Sequence, residues 1–131
     1  MNIALIAHDA KKKLMQNFCI AYRAILSKND LYSTGTTGRL IEEVTNLSIH
    51  KQLAGHLGGM QQIDAKIEHD EIDLVIFLRD PLTPKQHEQA SDTLCKICDN
   101  HNIPIATNLA SAELLIKSLD RGDLEWREMY K

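Results

Sequence analysis

The sequence DLVIFL, at residues 73–78, is the most apolar stretch of the chain, and three further stretches share its character. They are NIALIA at residues 2–7, LYST at residues 31–34 and IPIATN at residues 103–108. Their apolarity is continuous rather than alternating, which is typical of parallel strands that are covered on both faces. A fifth strand, with a weak alternating pattern, is predicted near residues 48–54.

Segments with helical periodicity separate these strands. Residues 9–26 carry apolar side chains on one helical face, and Asp9 is placed to cap that helix. Further helices are predicted at residues 38–44, 59–68, 87–100 and 110–119. This alternation predicts a single α/β domain over residues 1–131, with three α/β/α layers around a mostly parallel, five-stranded, Rossmann-like sheet. In such sheets, ligands bind outside the carboxyl ends of the strands.

The composition excludes several classes of protein. The chain is 44% hydrophobic and 25% charged, as ordinary globular proteins are. No apolar stretch approaches the roughly 18 residues of a membrane span, so no membrane partner is expected. A net charge of −3, without a stripe of lysine and arginine, argues against a nucleic-acid partner.

The cysteines indicate a reducing compartment. There are three of them, an odd number, in a chain that shows no export signal, so free thiols and a cytoplasmic location are expected. Cys95 and Cys98 form a C-x-x-C pair, but it lies inside a predicted helix and no second Cys/His pair accompanies it. Core thiols are therefore predicted here rather than a metal or redox site.

The terminal residues 120–131 are charged and contain the only tryptophan, Trp126. Two interpretations stay open for this segment. It is either a tail that packs on another subunit, or a solvated terminal helix with one aromatic anchor.

The strongest local signal is STGTTG at residues 33–38, which follows a predicted strand and opens a helix. Glycines bring backbone N–H groups close to an anion, while the hydroxyls of Thr34, Thr36 and Thr37 and the helix dipole add further donors. The pattern is neither a P-loop nor G-x-G-x-x-G, so it indicates a phosphate on a ligand other than ATP or NAD. A turn that only caps the helix is the alternative.

Chemically active side chains follow two other strands. His8 and Asp9 come directly after the first strand, and Lys12 lies one helical turn further, where its ammonium could neutralise a phosphate. Asp80 ends the strand at residues 73–78 and His87 begins the next helix, which are positions that suit proton transfer. The alternatives are that Asp9 is only a helix cap, that the lysines are a solvated face, and that Asp80 only fixes its loop. For Lys11 and Lys13 the solvated face is the preferred interpretation.

A second glycine-dense segment, AGHLGGMQQ at residues 54–62, leads into a helix. Its glycines allow backbone N–H groups to approach a ligand oxygen closely, as in an oxyanion hole. A flexible loop is the alternative.

Taken in order, these segments resemble methylglyoxal synthase, of the methylglyoxal-synthase-like domain family, from residue 2 to about residue 119. The resemblance rests on IALIAHD (3–9), LYSTGTTG (31–38), GGxQQ (58–62), DLVIFLRDPLT (73–83) and IPIATN (103–108). It implies a lyase without metal or cofactor that converts dihydroxyacetone phosphate, through an enediolate, into methylglyoxal and inorganic phosphate. It also implies a homo-oligomer, usually a hexamer.

The resemblance also implies a role for each matching residue. The substrate phosphate would be held by Lys12, Thr34, Gly35, Thr36 and Thr37. Ala54 and Gly55 would line the substrate site, with the Gly55 N–H donating to the enediolate. His8 and His87 would polarise the substrate oxygens or shuttle protons there, oriented by Asp9 and Asp80.

Several positions depart from the family pattern. Met60 stands where the family has its aspartate base, and Ala90 where it has a second acidic residue; Ala54 replaces a serine and His56 a proline. A thioether cannot accept a proton at neutral pH. Either Asp64 or Glu88 substitutes as the base, or the chain is a binding protein for phosphate or a phosphorylated metabolite. The enzyme is favoured, because the cradle, both histidines, Asp9 and Asp80 are retained.

Overall fold

The computed structural model describes residues 1–82 and 91–130 of the chain. Its sheet has five strands, β1 (Asn2–Ala7), β2 (Asp30–Ser33), β3 (Ile49–Lys51), β4 (Leu74–Leu78) and β5 (Ile105–Ala106). They pair in the order β3-β2-β1-β4-β5, and every pairing is parallel. The predicted five-stranded α/β fold is therefore confirmed, with a sheet that is parallel throughout the described residues.

Helices cover both faces of this sheet. They are α1 (Lys12–Ala21), α2 (Arg23–Leu26), α3 (Gly35–Thr45), α4 (Gly59–Glu68), α5 (Ser91–Asn100) and α6 (Leu109–Asp120). Buried side chains of α1, α3 and α6 pack on one face, and those of α4 and α5 pack on the other. Among the described helices, none is both long and apolar enough to cross a membrane.

The central strand β1 shows why the apolar stretches are continuous. Its Ile3 and Leu5 side chains belong to the core under α1 and α3, whereas Ala4 and Ile6 belong to the core under α4 and α5. Both sets are almost completely buried. Because a strand that is covered on both faces has no solvent-facing side, polar residues do not alternate along it.

The first predicted helix differs from the structure in two ways. It is divided into a 3-10 turn at Asp9–Lys11, then α1 and α2, with the break at Tyr22. The prediction that Asp9 caps the helix is wrong, because the 3-10 turn begins at Asp9 itself and no side-chain cap is formed. The Asp9 carboxylate instead accepts a hydrogen bond from Lys12.

Other boundaries differ as well. The helix predicted at residues 38–44 begins at Gly35, so the glycine-threonine segment forms the first helical turn rather than a loop before it. The last strand is only two residues long, and the carbonyl of Pro104, just before it, accepts a bond from Val75 of β4. Of the helix predicted at residues 87–100, the part before Ser91 lies outside the described residues.

The C-terminal segment packs on its own sheet through an arginine. The Arg127 side chain is only 6% exposed, whereas Trp126 is 44% exposed, so the arginine is the more deeply buried of the two. The segment forms a 3-10 turn at Glu125–Tyr130. Its contact with another subunit stays a prediction.

Candidate functional site

Three neighbouring strands bring the predicted site residues to one edge of the sheet. Thr34 follows β2, His8 follows β1 and Asp80 lies two residues after β4, and β1 pairs with both of the other strands. Adjacent strands lie about 4.8 Å apart, so residues that end neighbouring strands are close in space. This edge is the carboxyl end of the sheet, where open α/β sheets bind their ligands.

The threonine segment forms the start of α3. Thr34 is the N-cap residue, and the first helical hydrogen bond runs from the Gly38 N–H to the Thr34 carbonyl at 2.9 Å. The hydroxyl oxygens of Thr34 and Thr37 lie 3.5 Å apart, and both side chains are buried, while Thr36 is exposed. Because the N–H groups of a first turn have no helical acceptor, this end of α3 presents donors toward an anion.

Gly35 has a structural role in the same turn. Its N–H donates to the Leu53 carbonyl at 3.1 Å, and the Gln52 N–H donates to the Ser33 carbonyl at 2.7 Å. A Cβ atom on Gly35 would lie 2.9 Å from the Gln52 carbonyl oxygen. Glycine is therefore required because two backbones approach closely, and the N–H groups of Thr36 and Thr37 are better placed than that of Gly35 to meet an anion.

Lys12 places a positive charge at the end of β1. Its Nζ donates to the Ala7 carbonyl at 3.0 Å and to Asp9 Oδ1 at 2.8 Å. The Lys12 side chain is 17% exposed. An ammonium group has three donors, and these contacts use two of them. Lys13, by contrast, is exposed, as expected of a solvated lysine.

His8 is the most informative residue of the site. Its side chain is 5% exposed, and its Nδ1 accepts the backbone N–H of Asp80 at 2.8 Å. Its Nε2 is buried and has no hydrogen-bond partner among the described residues. A buried polar atom without a partner costs about 1–3 kcal/mol, so such an atom at a strand edge indicates that a ligand completes it.

Asp80 fixes its own loop. Its Oδ1 accepts the Leu82 N–H at 3.0 Å, while its N–H holds His8. The alternative that Asp80 fixes its own loop is thus supported. Its backbone N–H also contributes to the site, because it holds His8. His87, Glu88 and Ala90 lie outside the described residues.

The second glycine segment lies between β3 and α4. It contains a 3-10 turn at Gly55–Leu57, and the Gly59 N–H closes it on the Ala54 carbonyl at 3.1 Å. Gln62 supports it, because its Oε1 accepts the Leu53 N–H at 2.8 Å. Hydrogen bonds therefore hold this segment in place, rather than leaving it a flexible loop.

Met60 lies beside Gly55 at the start of α4. Its Cγ would lie 3.7 Å from a Cβ atom built on Gly55, and its side chain is 9% exposed within the core under α4 and α5. The position is therefore adjacent to the expected oxyanion N–H. The Met60 side chain is a buried thioether, which can neither accept nor release a proton.

Asp64 lies one helical turn after Met60. Burial raises its pKa to about 6, and the negative charge of Glu68 adds to this shift. Burial also raises the pKa of the Cys98 thiol to about 12, with Asp64 among the negative charges that contribute. The Asp64 charge thus reaches Cys98 of α5. Cys98 is a buried core thiol, as predicted, whereas Cys95 of the same pair is only partly buried. Within residues 1–82 and 91–130, no three His, Cys, Asp or Glu residues are grouped as a metal site requires.

One contact of the site had no signal in the sequence. The Phe77 ring meets the His8 ring edge to face, with centroids 5.0 Å apart and an interplanar angle of 87°. Phe77 lies within an apolar stretch that predicts only a core strand. Its relation to His8 arises from the pairing of β1 with β4, which sequence spacing does not specify.

The fold and the site define an α/β domain whose candidate site lies at the carboxyl ends of its central strands. The family model described as MGS-like domain matches residues 15–107. Methylglyoxal synthase of Caldicellulosiruptor saccharolyticus is 64% identical over 129 residues, which are 98% of this chain and 92% of the relative. That of Clostridioides difficile is 57% identical over 131 residues, or 100% and 96% of the two chains.

A solved structure agrees with these relatives. The crystal structure of methylglyoxal synthase from Elizabethkingia anophelis NUHP1 is similar with a TM-score of 0.85 at 36% identity, covering 88% of this chain and 76% of that one. The chain belongs to the methylglyoxal-synthase-like family.

Proposed function

We propose that the chain is a methylglyoxal synthase, a carbon–oxygen lyase that eliminates phosphate from dihydroxyacetone phosphate to give methylglyoxal. The single observation that carries the proposal is the buried, unpartnered Nε2 of His8, at the same sheet edge as the threonine-lined start of α3. A neutral donor beside an anion cradle suits a substrate with both a phosphate and a carbonyl oxygen. The relatives named methylglyoxal synthase support this assignment.

The phosphate would bind at the start of α3. Hydroxyls of Thr34 and Thr37 and the N–H groups of the first turn supply hydrogen bonds, and the helix dipole favours the negative charge. Lys12, after the end of β1, adds an ammonium group that is held in position by hydrogen bonds to Ala7 and Asp9. Thr36, exposed in the same turn, would contact the phosphate from the solvent side.

The carbonyl oxygen would face His8 and Gly55. Removal of a proton beside the carbonyl gives an enediolate, whose negative charge needs donors fixed in advance. His8 Nε2 and the Gly55 N–H would be these donors. Elimination then breaks the carbon–oxygen bond to phosphate, and the cradle stabilises the departing anion. The enol that remains takes up a proton on its terminal carbon and becomes methylglyoxal. His87 would assist the proton transfers.

The base is the open part of the mechanism, because Met60 occupies the expected aspartate position. Asp64 is one candidate, since a carboxyl with a pKa of about 6 is mostly ionised yet still basic at neutral pH. Glu88, next to His87, is the other. Asp64→Asn and Glu88→Gln distinguish them, because only the variant that lacks the base should lose turnover by about 10²- to 10⁴-fold.

The alternative function is a binding protein for phosphate or a phosphorylated metabolite. It is favoured by one observation, the packing of Met60 into the core beside Gly55. Such a protein keeps the cradle and lacks turnover.

The experiment is phosphate release from dihydroxyacetone phosphate by the unmodified chain, beside Met60→Asp and Met60→Asn. The lyase predicts release clearly above a protein-free control. The binding protein predicts no release by the unmodified chain, stabilisation by phosphate, and activity only in Met60→Asp. Met60→Asn matches the aspartate in size but offers no base, so it separates the chemistry from the change in packing.

We also propose that the protein is a cytoplasmic homo-oligomer, a hexamer by its family resemblance. Leu53, Leu57 and Leu82 support self-association, since all three are exposed apolar side chains in the segments that follow β3 and β4. Sedimentation equilibrium tests the subunit number. A monomer at micromolar concentration would contradict this proposal.

A further inference from the structure

We propose that Phe77 is a positioning residue for His8, and that Phe77 and the backbone N–H of Asp80 together hold His8 as its neutral Nε2–H tautomer. His8 then acts as a fixed hydrogen-bond donor and not as the proton acceptor. The part of this inference that concerns the substrate oxygen rests on the proposed lyase function. The tautomer and its dependence on Phe77 do not.

The tautomer follows from the donor that His8 meets. A backbone N–H can only donate, and that of Asp80 points at His8 Nδ1 over 2.8 Å. Nδ1 must therefore offer its lone pair. A neutral imidazole carries one proton, so this proton resides on Nε2.

The main chain of His8 is fixed at the same time. Its N–H donates to the Leu78 carbonyl at 3.0 Å, and its carbonyl accepts the Lys11 N–H at 2.8 Å. The His8 ring is therefore attached to a backbone that hydrogen bonds hold in place at the ends of β1 and β4. With Cβ held by the backbone, the hydrogen bond to Asp80 orients the ring, but this single bond does not prevent the ring from rocking about that orientation.

Phe77 removes that remaining freedom. Its side chain is 1% exposed, and its ring stands at 87° to that of His8 with centroids 5.0 Å apart. Edge-to-face contacts are the favoured geometry of aromatic pairs, so a neighbour that is itself buried holds the plane of His8 in place. The direction of the Nε2–H bond is then determined.

This arrangement suits a hydrogen-bond donor that is positioned before the substrate binds. Nε2 is buried and unpartnered, and a neutral N–H group is less costly to leave in that state than a charged one. A donor whose direction is fixed before the substrate arrives needs no reorganisation when negative charge develops on the oxygen. Removal of the carbon-bound proton is left to a carboxylate.

The test is nitrogen-15 NMR of histidine-labelled protein at mildly alkaline pH, with His8 assigned by the signals lost in His8→Gln. We expect Nδ1 to resonate in the unprotonated range and Nε2 in the protonated range. The opposite pattern, or a value averaged between the two in the unmodified chain, overturns the tautomer. This measurement needs no turnover, so it stands or fails separately from the lyase assay.

The role of Phe77 is tested by Phe77→Leu and by Phe77→Met, which has a similar volume but a longer and more flexible side chain. Both should shift the His8 nitrogen signals toward an averaged value, and kcat should fall about 3- to 10-fold at nearly unchanged KM. Phe18→Leu is the matched control, because Phe18 is equally buried but packs on Tyr22 on the other face of the sheet. It should cost similar stability and leave the His8 signals in place. Unchanged signals in both Phe77 variants would overturn the positioning role.

Discussion

Arg127, near the end of the chain, forms a buried ion pair with Asp73, directly before β4. Its Nε lies 3.4 Å from Asp73 Oδ1, and the two side chains are 6% and 0% exposed. Arg127 also donates to the Asn102 carbonyl at 2.9 Å, and Asp73 Oδ2 accepts the Asn2 N–H at 2.9 Å. One carboxylate thus ties the start of β1 to the C-terminal segment.

Arg127→Met should therefore destabilise the fold strongly. It leaves the Asp73 charge buried with only part of its hydrogen bonds, which costs about 3 kcal/mol. Urea unfolding measures the loss. Arg121→Ala is the control, since Arg121 lies 2.9 Å from Asp123 but both are exposed, and it should cost less than about 1 kcal/mol. Equal losses in the two variants would contradict a role for burial.

Lys12→Ala should weaken the binding of phosphate and of dihydroxyacetone phosphate. A charge-assisted hydrogen bond is worth about 1.5–3 kcal/mol, so Kd should rise about 10- to 100-fold. Calorimetric titration with inorganic phosphate checks this whether or not the chain turns over. Lys13→Ala, one residue away and exposed, should bind normally. The assignment fails if both variants bind like the unmodified chain.

Thr37→Val keeps the shape of a buried side chain and removes its hydroxyl. We expect phosphate affinity to fall about 3- to 10-fold, the worth of one neutral hydrogen bond. Thr45, at the other end of α3, donates to the Ile41 carbonyl at 2.7 Å. Thr45→Val should lower the melting temperature and leave affinity unchanged. If Thr37→Val lowers the melting temperature but leaves phosphate affinity unchanged, the Thr37 hydroxyl has only a structural role.

Gly59→Ala should disrupt the segment before α4. A Cβ atom there would overlap the Leu53 carbonyl oxygen, which belongs to the main chain and cannot move aside. We expect a loss of about 2 kcal/mol or more in the free energy of unfolding. Gly55→Ala is the comparison, because its Cβ would meet Met60 at an ordinary 3.7 Å. Thermal unfolding should rank the two variants clearly, with Gly55→Ala close to the unmodified chain.

Asp64 should make stability depend on pH. Its pKa of about 6 lies above the ordinary value of 3.8, so the folded chain holds this proton more tightly than the unfolded chain. Stability is then full at low pH, falls as the pH rises from about 4 to about 6, and stays reduced above that. Asp64→Asn should recover about 1 kcal/mol at neutral pH, a value lowered because the side chain is only partly buried.

Urea unfolding over this pH interval tests the Asp64 prediction. Glu43→Gln, on the exposed face of α3, should retain the profile of the unmodified chain. A profile of Asp64→Asn parallel to that of the unmodified chain would refute the shift.

Much of the fold follows from local sequence. β1 was predicted with its observed limits, because burial on both faces leaves a continuous apolar stretch. The position of the glycine-threonine segment, between β2 and α3, also follows from the sequence, whereas its binding of phosphate stays a prediction. Contacts that depend on tertiary pairing were missed. Arg127 and Asp73 are 54 residues apart, and His8 meets Phe77 only because β1 pairs with β4. No periodicity in the chain encodes such contacts.

The hydrogen bond from Gly35 to Leu53 joins the first turn of α3 to the segment that follows β3. A change in one of them is therefore transmitted to the other through the main chain, without any side chain between. Any redesign of this protein to bind a different anion should therefore replace residues 33–38 and 52–60 together. Replacing either segment alone would remove the backbone hydrogen bonds that hold the other in place.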